Sequence, residues 1–213
     1  MALGRIQRVL SELYDVQVEA SVEDFVCDAD LVHATVGQGV GRGELLVVAE
    51  DAEGVCVGLY VCPDAVQALT ETGAEADVWL DERFRAACLA TEGVSHFLYL
   101  MFRAENEHPV SQLELELQAE VDKYATALLS GNGVGAIQAR SRTVRHRLFA
   151  GVRFIDGRGT EQGERYRVAH RVADRYVRRL EEEYLRGGDL PGLMRELRRF
   201  YRCGLRGKLE SAG

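Results

Sequence analysis

The boundary near residue 110 constrains the fold of this chain more than any other feature. Ser111 at an N-cap position and Glu114 three residues later form a capping box. Val110 and Leu115 flank that box with the spacing of a hydrophobic staple. The helix that starts here stops at a glycine-containing segment over 130–133, and every later segment repeats its apolar residues at helical intervals. The sequence therefore predicts a C-terminal bundle of about four helices.

The N-terminal part of the chain has the mixed patterning of an α+β fold. Residues 44–49 and 55–61 are rich in β-branched and apolar side chains, and a short acidic connection joins them, which predicts a β-hairpin. Residues 94–103 are apolar on both faces, so we expect a buried central strand beside the hairpin. The predicted fold class is α+β, with a small N-terminal β-sheet and helices followed by the C-terminal bundle.

Charge is divided unevenly along the chain. The net charge of −8 combines −17 over residues 1–137 and +9 over residues 138–213. The predicted parts are an acidic α+β part at 1–104 and a helical part at 105–213 that is basic after about residue 137. Because the chain has only three prolines and no linker-like segment, we expect the two parts to pack as one body. Opposite charge favours contact between the halves, within one molecule or between two copies.

Composition excludes several classes of protein. The chain has no run of about 18 apolar residues, and its first residues lack the apolar segment of a signal peptide. Its five cysteines are odd in number and form no CxxC pair, which indicates reduced thiols. We therefore expect a cytoplasmic protein without membrane contact. Only Lys123 and Lys208 are lysines, and this arginine bias suggests a GC-rich, bacterial genome.

Two glutamates on the helix predicted after residue 111 are candidate metal ligands. Glu116 and Glu120 lie one turn apart on one helical face, and this geometry can hold a divalent ion when a second helix supplies oxygens or an imidazole. The next predicted helix supplies arginines instead. The alternative interpretation is a solvated acidic face that pairs with the basic helices.

The helices predicted after residue 137 carry many arginines, which suit contact with a partner or with phosphate. The candidate contact residues are Arg140, Arg142, Arg145, Arg147, Arg171 and Arg175. We expect a protein partner or self-association. Nucleic acid is a weaker candidate, because an acidic molecule is repelled by nucleic acid at long range.

Sequence patterns identify no catalytic residue. The segment from Gly37 to Gly43 has the spacing GxGxGxG and precedes a strand, whereas a phosphate-binding loop needs a following helix. His96 lies in the most apolar segment, which indicates a buried core histidine rather than a catalytic base. No nucleophile–histidine spacing stands out, and we expect no cofactor.

Three functional hypotheses follow from these features. The leading one is a non-enzymatic binding or regulatory protein that acts through charge-segregated protein–protein contacts. The first alternative is a metal-dependent enzyme on a phosphate-bearing small molecule, with Glu116 and Glu120 at the metal and Arg145 or Arg147 at the phosphate. The second alternative is nucleic-acid binding through the arginine-rich C-terminal helices.

Overall fold

Helices form most of this chain, and one antiparallel pair of strands lies near its N-terminus. The computed structural model describes residues 2–36, 43–51, 54–70, 77–130, 137–150 and 159–213. The elements are α1 (Ala2–Tyr14), α2 (Ala29–Val36), β1 (Glu44–Asp51), β2 (Gly54–Val61), α3 (Pro63–Thr70), α4 (Phe84–Glu105), α5 (Gln112–Leu129), α6 (Ile137–Phe149), α7 (Glu161–Leu180), α8 (Leu190–Arg202) and α9 (Leu205–Ser211). A 3₁₀ turn (Val22–Phe25) follows α1, and a π-helical turn (Glu181–Leu185) extends α7. The fold class is α+β with a small N-terminal sheet and several C-terminal helices, as predicted.

The two strands form the hairpin that the sequence predicts. They pair in antiparallel register, so that Glu44 lies opposite Val61 at the open end. Leu59 and Val61 are buried against the helices, whereas Val48 is exposed. The hairpin therefore brings Glu44, the first residue of β1, to the helical layer. The predicted glycine-rich loop at 37–43 lies outside the described residues apart from its last glycine.

The strand predicted over residues 94–103 is wrong, because this segment lies inside α4. Val94, Phe97 and Leu98 are all buried. A helix that packs on several sides is apolar all round, so its sequence lacks a one-sided helical period and imitates a buried strand. Gly93 lies within the helix and does not end it. A Cβ atom at this position would lie only 3.1 Å from Val61 Cγ2, so glycine permits close packing of α4 on the hairpin.

The α5 helix packs against α4, α6 and α7, and it positions most of the buried polar groups. Its predicted N-cap is confirmed, because Ser111 Oγ accepts a hydrogen bond from the Glu114 amide at 3.2 Å. The buried polar residues of this helix include Glu114, Glu116, Gln118, Asp122 and Lys123. Since buried polar groups need partners, α5 determines where the polar interior of the molecule lies.

The C-terminal helices pack against the same core. Asp189 caps α8 by accepting a hydrogen bond from the Gly192 amide at 2.8 Å, and a proline occupies the first turn. The sequence did not predict α9, which brings the fully buried Lys208 against α5. The division into parts at residue 104 stays a prediction. Among the described residues, no helix combines the length and the apolarity needed to span a bilayer.

Candidate metal centre

Four side chains from three elements meet where the hairpin, α4 and α5 contact one another. Glu92 and His96 are one turn apart in α4, so they lie on the same side of that helix. Glu116 faces His96 from α5, and Glu44 reaches it from the start of β1. The side chains of Glu44, His96 and Glu116 are each 10% exposed or less. This acidic–histidine cluster is therefore part of the protein interior.

Three of these side chains offer ligand atoms at distances close to those around one metal ion. One carboxylate oxygen from each of Glu92 and Glu116 and one imidazole nitrogen of His96 all lie within 4.8 Å of one another. Donor atoms lie about 2.0–2.2 Å from a bound transition metal, and hence roughly 3–4 Å from each other. Binding therefore requires the three side chains to move closer together around the ion than they lie in this structure.

Glu44 determines which imidazole nitrogen faces the other carboxylates. His96 Nδ1 lies 3.5 Å from Glu44 Oε2, and His96 Nε2 lies 3.5 Å from Glu116 Oε2. A metal-binding histidine usually has a carboxylate or carbonyl on its second nitrogen, which fixes the tautomer and the ring orientation. Glu44 occupies that position, so Nε2 is the nitrogen available to a metal.

Three buried polar atoms in or beside this cluster lack a hydrogen bond to any described residue. Glu44 Oε2, His96 Nε2 and Arg165 Nε are buried and have no hydrogen-bond partner among the described residues. Their nearest ionic contacts, at 3.5–3.9 Å, are too long for good hydrogen bonds. Because folded proteins satisfy nearly all buried polar atoms, each exception needs a cause, and a bound ion is one. A cation bound at His96 Nε2 would give that nitrogen a partner, so this atom favours an ion-binding site.

Two permanent cations border the cluster. Lys123 Nζ lies 3.1 Å from Glu92 Oε2 and 3.0 Å from Glu120 Oε1. Arg165 Nε, from α7, lies 3.9 Å from Glu116 Oε1. With Glu120 included, four carboxylates face two permanent cations and the His96 imidazole, whose pKa is raised. One negative charge remains while that imidazole is protonated, and two remain once a metal replaces the proton. Uncompensated charge in the interior is costly, and one divalent cation balances it.

The pKa values in the cluster follow from burial and from these neighbours. Burial raises the pKa of Glu44, and His96 opposes that rise. Burial alone lowers the pKa of His96, but Glu44 and Glu116 raise it well above its usual value. Burial also opposes ionisation of Glu92, yet Lys123 and His96 hold the pKa of that carboxyl below its usual value. A metal bound to His96 Nε2 therefore replaces a proton.

The two glutamates that the sequence predicts as metal ligands contact different residues in the structure. Glu116 lies in the cluster with His96, whereas Glu120 contacts Lys123. Metal binding by Glu116 and Glu120 together stays a prediction. Glu92 and His96 are missed because a strand is predicted at 94–103, and residues four apart are about 13 Å from each other along a strand. On a helix they are about 6 Å apart, so the Glu–His spacing is informative only once the segment is known to be helical.

The predicted contact arginines divide into two groups. Arg140 forms two hydrogen bonds with the Asp77 carboxylate, and Arg145 Nε donates to Glu181 Oε2 at 2.8 Å. Arg147 donates to two backbone carbonyls in the segment before α4. The remaining three are exposed and form no ion pair within the described part of the chain: Arg142, Arg171 and Arg175. Contact with a partner or phosphate stays a prediction for all six arginines.

A second buried polar network lies on another face of α5. Tyr14 and Ser95 donate hydrogen bonds to the Asp122 carboxylate, the latter at 2.6 Å. Gln118 Nε2 also donates to Asp122, at 2.7 Å, and Gln118 Oε1 accepts from Lys208. Burial raises the pKa of Asp122 to about 6 and lowers the pKa of Lys208 to about 7. These groups satisfy one another, so the network supports packing rather than ligand binding.

The chain matches no protein-family model, no curated protein and no solved structure.

Proposed function

We propose that this protein binds one divalent transition-metal ion through Glu92, His96 and Glu116. The observation that carries the proposal is the convergence of three ligand atoms within 4.8 Å. The imidazole that supplies one of them has a buried Nε2 with no hydrogen-bond partner among the described residues. Glu44 orients that imidazole from the opposite edge of the ring. One nitrogen and two oxygen ligands suit Mn²⁺, Fe²⁺, Co²⁺ or Zn²⁺ better than Ca²⁺ or Mg²⁺, which favour oxygen alone.

The number of ligands supports a reactive metal rather than a purely structural one. Structural zinc sites use four protein ligands, whereas catalytic sites use three and keep a position for water or substrate. The part of the chain that the structure describes offers three ligands here. A metal held in this way activates a bound water molecule or polarises a substrate oxygen. We therefore propose that the site performs metal-dependent chemistry on a small molecule.

Metal titration of the purified, metal-stripped protein tests this proposal. Isothermal titration calorimetry with Zn²⁺, Mn²⁺ and Co²⁺ is expected to give one bound ion per chain. His96→Ala removes the nitrogen ligand and should lower the affinity by more than about 100-fold, since loss of an outer partner alone costs about 10- to 100-fold. Glu44→Gln keeps the three ligands but weakens the contact that orients the imidazole. Its metal affinity should therefore fall by about 10- to 100-fold.

The matched control is His108→Ala, because His108 is exposed just after α4 and lies outside the cluster. Glu116→Gln provides a second variant that keeps the size of the side chain while it removes the ligand charge. Circular dichroism establishes that each variant is folded. Equal metal affinity for His96→Ala and His108→Ala, or no stoichiometric binding by the unaltered protein, would contradict the proposal.

A second candidate function is contact with a protein partner or with another copy of the chain. Its support is the separation of exposed charge: Arg142, Arg171 and Arg175 on α6 and α7, and Asp24 and Asp28 in the N-terminal part. Surface patches of opposite sign favour head-to-tail contact. Oligomer size or partner capture should fall as salt rises from ~50 mM to ~500 mM, and a salt-independent monomer in light scattering would count against this function.

We also propose a cytoplasmic location, which is supported by five cysteines that are all free thiols. Nucleic-acid binding by the arginines of α6 and α7 stays a prediction. This prediction is tested by electrophoresis of a labelled nucleic-acid strand with the protein at low salt. Binding should retard the strand, and unchanged mobility would exclude it. A bacterial origin also stays a prediction.

A further inference from the structure

One arginine forms the edge of the proposed metal site that faces α7. Arg165 lies in the second turn of that helix, and 18% of its side chain is exposed. Its Nε is buried, has no hydrogen-bond partner among the described residues and lies 3.9 Å from Glu116 Oε1. Burial and the carboxylates of Glu116 and Glu92 raise the pKa of the adjacent Tyr166 to about 12, which keeps its hydroxyl protonated. At this edge α7 therefore presents a guanidinium next to a neutral phenol.

We propose that the bound metal and Arg165 together bind an oxyanion, either a carboxylate or a phosphate group, of a small-molecule substrate. This inference rests on the metal site proposed above. A metal with three protein ligands has further coordination positions for an oxygen ligand. Arg165 lies directly beside one of the three ligands, Glu116. An oxyanion that binds the metal through one oxygen can accept hydrogen bonds from the guanidinium N–H groups at another of its oxygens.

The contacts of Arg165 favour an anion at this edge. Its ion pair with Glu116 is long, at 3.9 Å, and a divalent ion on Glu116 weakens that attraction further. Glu44 is the remaining carboxylate that contacts His96, and it lies on the opposite edge of the imidazole. A guanidinium that is largely removed from water is costly without a partner. An oxyanion supplies that partner and occupies a metal position at the same time.

The two arginines that the sequence predicts for phosphate contact, Arg145 and Arg147, contact residues outside the acidic–histidine cluster. Arg145 bonds with Glu181, and the guanidinium of Arg147 lies 4.3 Å from the centre of the Phe84 ring. Neither of these arginines has an ion pair with Glu44, Glu92 or Glu116 within the described residues. Among the described residues, Arg165 is the arginine that has an ion pair with a proposed metal ligand, Glu116. The oxyanion is therefore assigned to Arg165 instead of Arg145 or Arg147.

The experiment uses the full chain loaded with Co²⁺, whose visible absorption reports its coordination. Inorganic phosphate and acetate are titrated separately into the unaltered protein, Arg165→Met and the control Arg171→Met, which alters an exposed arginine of the same helix. We expect a saturable spectral change with at least one anion in the unaltered protein and in the control. Arg165→Met should bind Co²⁺ with the same stoichiometry but bind that anion about 10- to 100-fold more weakly, the effect of losing charge-assisted hydrogen bonds.

A second variant separates charge from geometry. Arg165→Lys keeps the positive charge and loses the planar pair of donors, so its anion affinity should lie between those of the unaltered protein and Arg165→Met. The Co²⁺ stoichiometry of each variant shows whether the metal site is folded. An Arg165-dependent response that is stronger with phosphate assigns a phosphate-bearing substrate, and one that is stronger with acetate assigns a carboxylate.

The outcomes that overturn the inference are distinct from those that overturn the metal site. If Co²⁺ binds but neither anion changes its spectrum, or if anion affinity is the same in Arg165→Met, the oxyanion inference is wrong and the metal site stands. If the unaltered protein does not bind Co²⁺, the proposed metal function is wrong and this inference falls with it.

Discussion

Lys208 provides a direct test of the electrostatics inside this protein. It is fully buried in α9, where Nζ donates to Gln118 Oε1 and to the Phe200 carbonyl at 2.9 Å. The ammonium also lies 4.7 Å from the centre of the Tyr99 ring. Burial nevertheless lowers the pKa of Lys208 to about 7 from an ordinary value of 10.5. The informative change is Lys208→Met, which keeps an apolar chain of similar length and removes the titrating amine.

The pKa shift sets the sign and the size of a pH effect on stability. The pKa of Lys208 is lower in the folded protein than in the unfolded chain, so folding favours the neutral amine. The folded protein therefore gains stability as the pH rises from about 7 toward 10.5, and it loses that contribution as the pH falls back to about 7. One pKa unit corresponds to about 1.4 kcal/mol. From about pH 7 to about pH 9, Lys208 should add about 2 kcal/mol to the free energy of unfolding.

Urea unfolding followed by circular dichroism at a series of pH values measures this effect. The quantity to compare is the difference between the unaltered protein and Lys208→Met, because titrating groups away from Lys208, such as His96, contribute equally to both. Asp122 has a pKa of about 6 and is mostly ionised across the window in the unaltered protein; Lys208 lowers this pKa, so the substitution raises it toward the lower end of the window. We expect the unaltered protein to gain about 2 kcal/mol relative to the variant. Parallel pH profiles for the two proteins would refute the reasoning that burial makes this ammonium unfavourable.

Two further predictions concern helix ends. Ser111→Ala removes the oxygen that accepts a hydrogen bond from the Glu114 amide at the start of α5. The free energy of unfolding, measured in urea, should therefore fall by about 1 kcal/mol. An unchanged free energy of unfolding would contradict the role of Ser111 as N-cap. Gly192→Ala places a Cβ atom 2.1 Å from Asp189 Oδ2, so the α8 cap must move and the thermal midpoint should fall by several degrees. Gly187→Ala, whose Cβ meets nothing closer than 3.9 Å, is the control, and equal midpoints for the two alanine variants would count against this geometry.

Local signals predict much of this fold, and tertiary packing decides the rest. The N-cap at Ser111 and the hairpin depend on a few neighbouring residues each, and the structure confirms both. The α4 helix differs, because its apolar residues face neighbours on several sides and leave no helical period in the sequence. Gly93 has the appearance of a helix breaker in the sequence. Its position is explained only by the approach of Val61 from the hairpin.

The candidate metal centre depends even more on packing. Glu44, His96 and Glu116 come from three different elements, so no sequence spacing brings them together. The one local signal is the separation of Glu92 and His96 by one helical turn, and it requires the segment to be recognised as helical. His96 is buried, as the sequence indicates. The carboxylates on both sides of its ring belong to elements far away in the chain, and sequence analysis did not connect them with it.

Both lysines of this chain lie inside the fold, Lys123 beside the acidic–histidine cluster and Lys208 at the contact of α9 with α5, with exposed fractions of 6% and 0%. Amine-directed reagents therefore find no accessible lysine side chain among the residues that the structure describes. Acylation of either lysine requires local opening of the structure. Because the two lysines contact different buried networks, peptide mapping after brief acylation distinguishes opening at the cluster from detachment of the C-terminal helix.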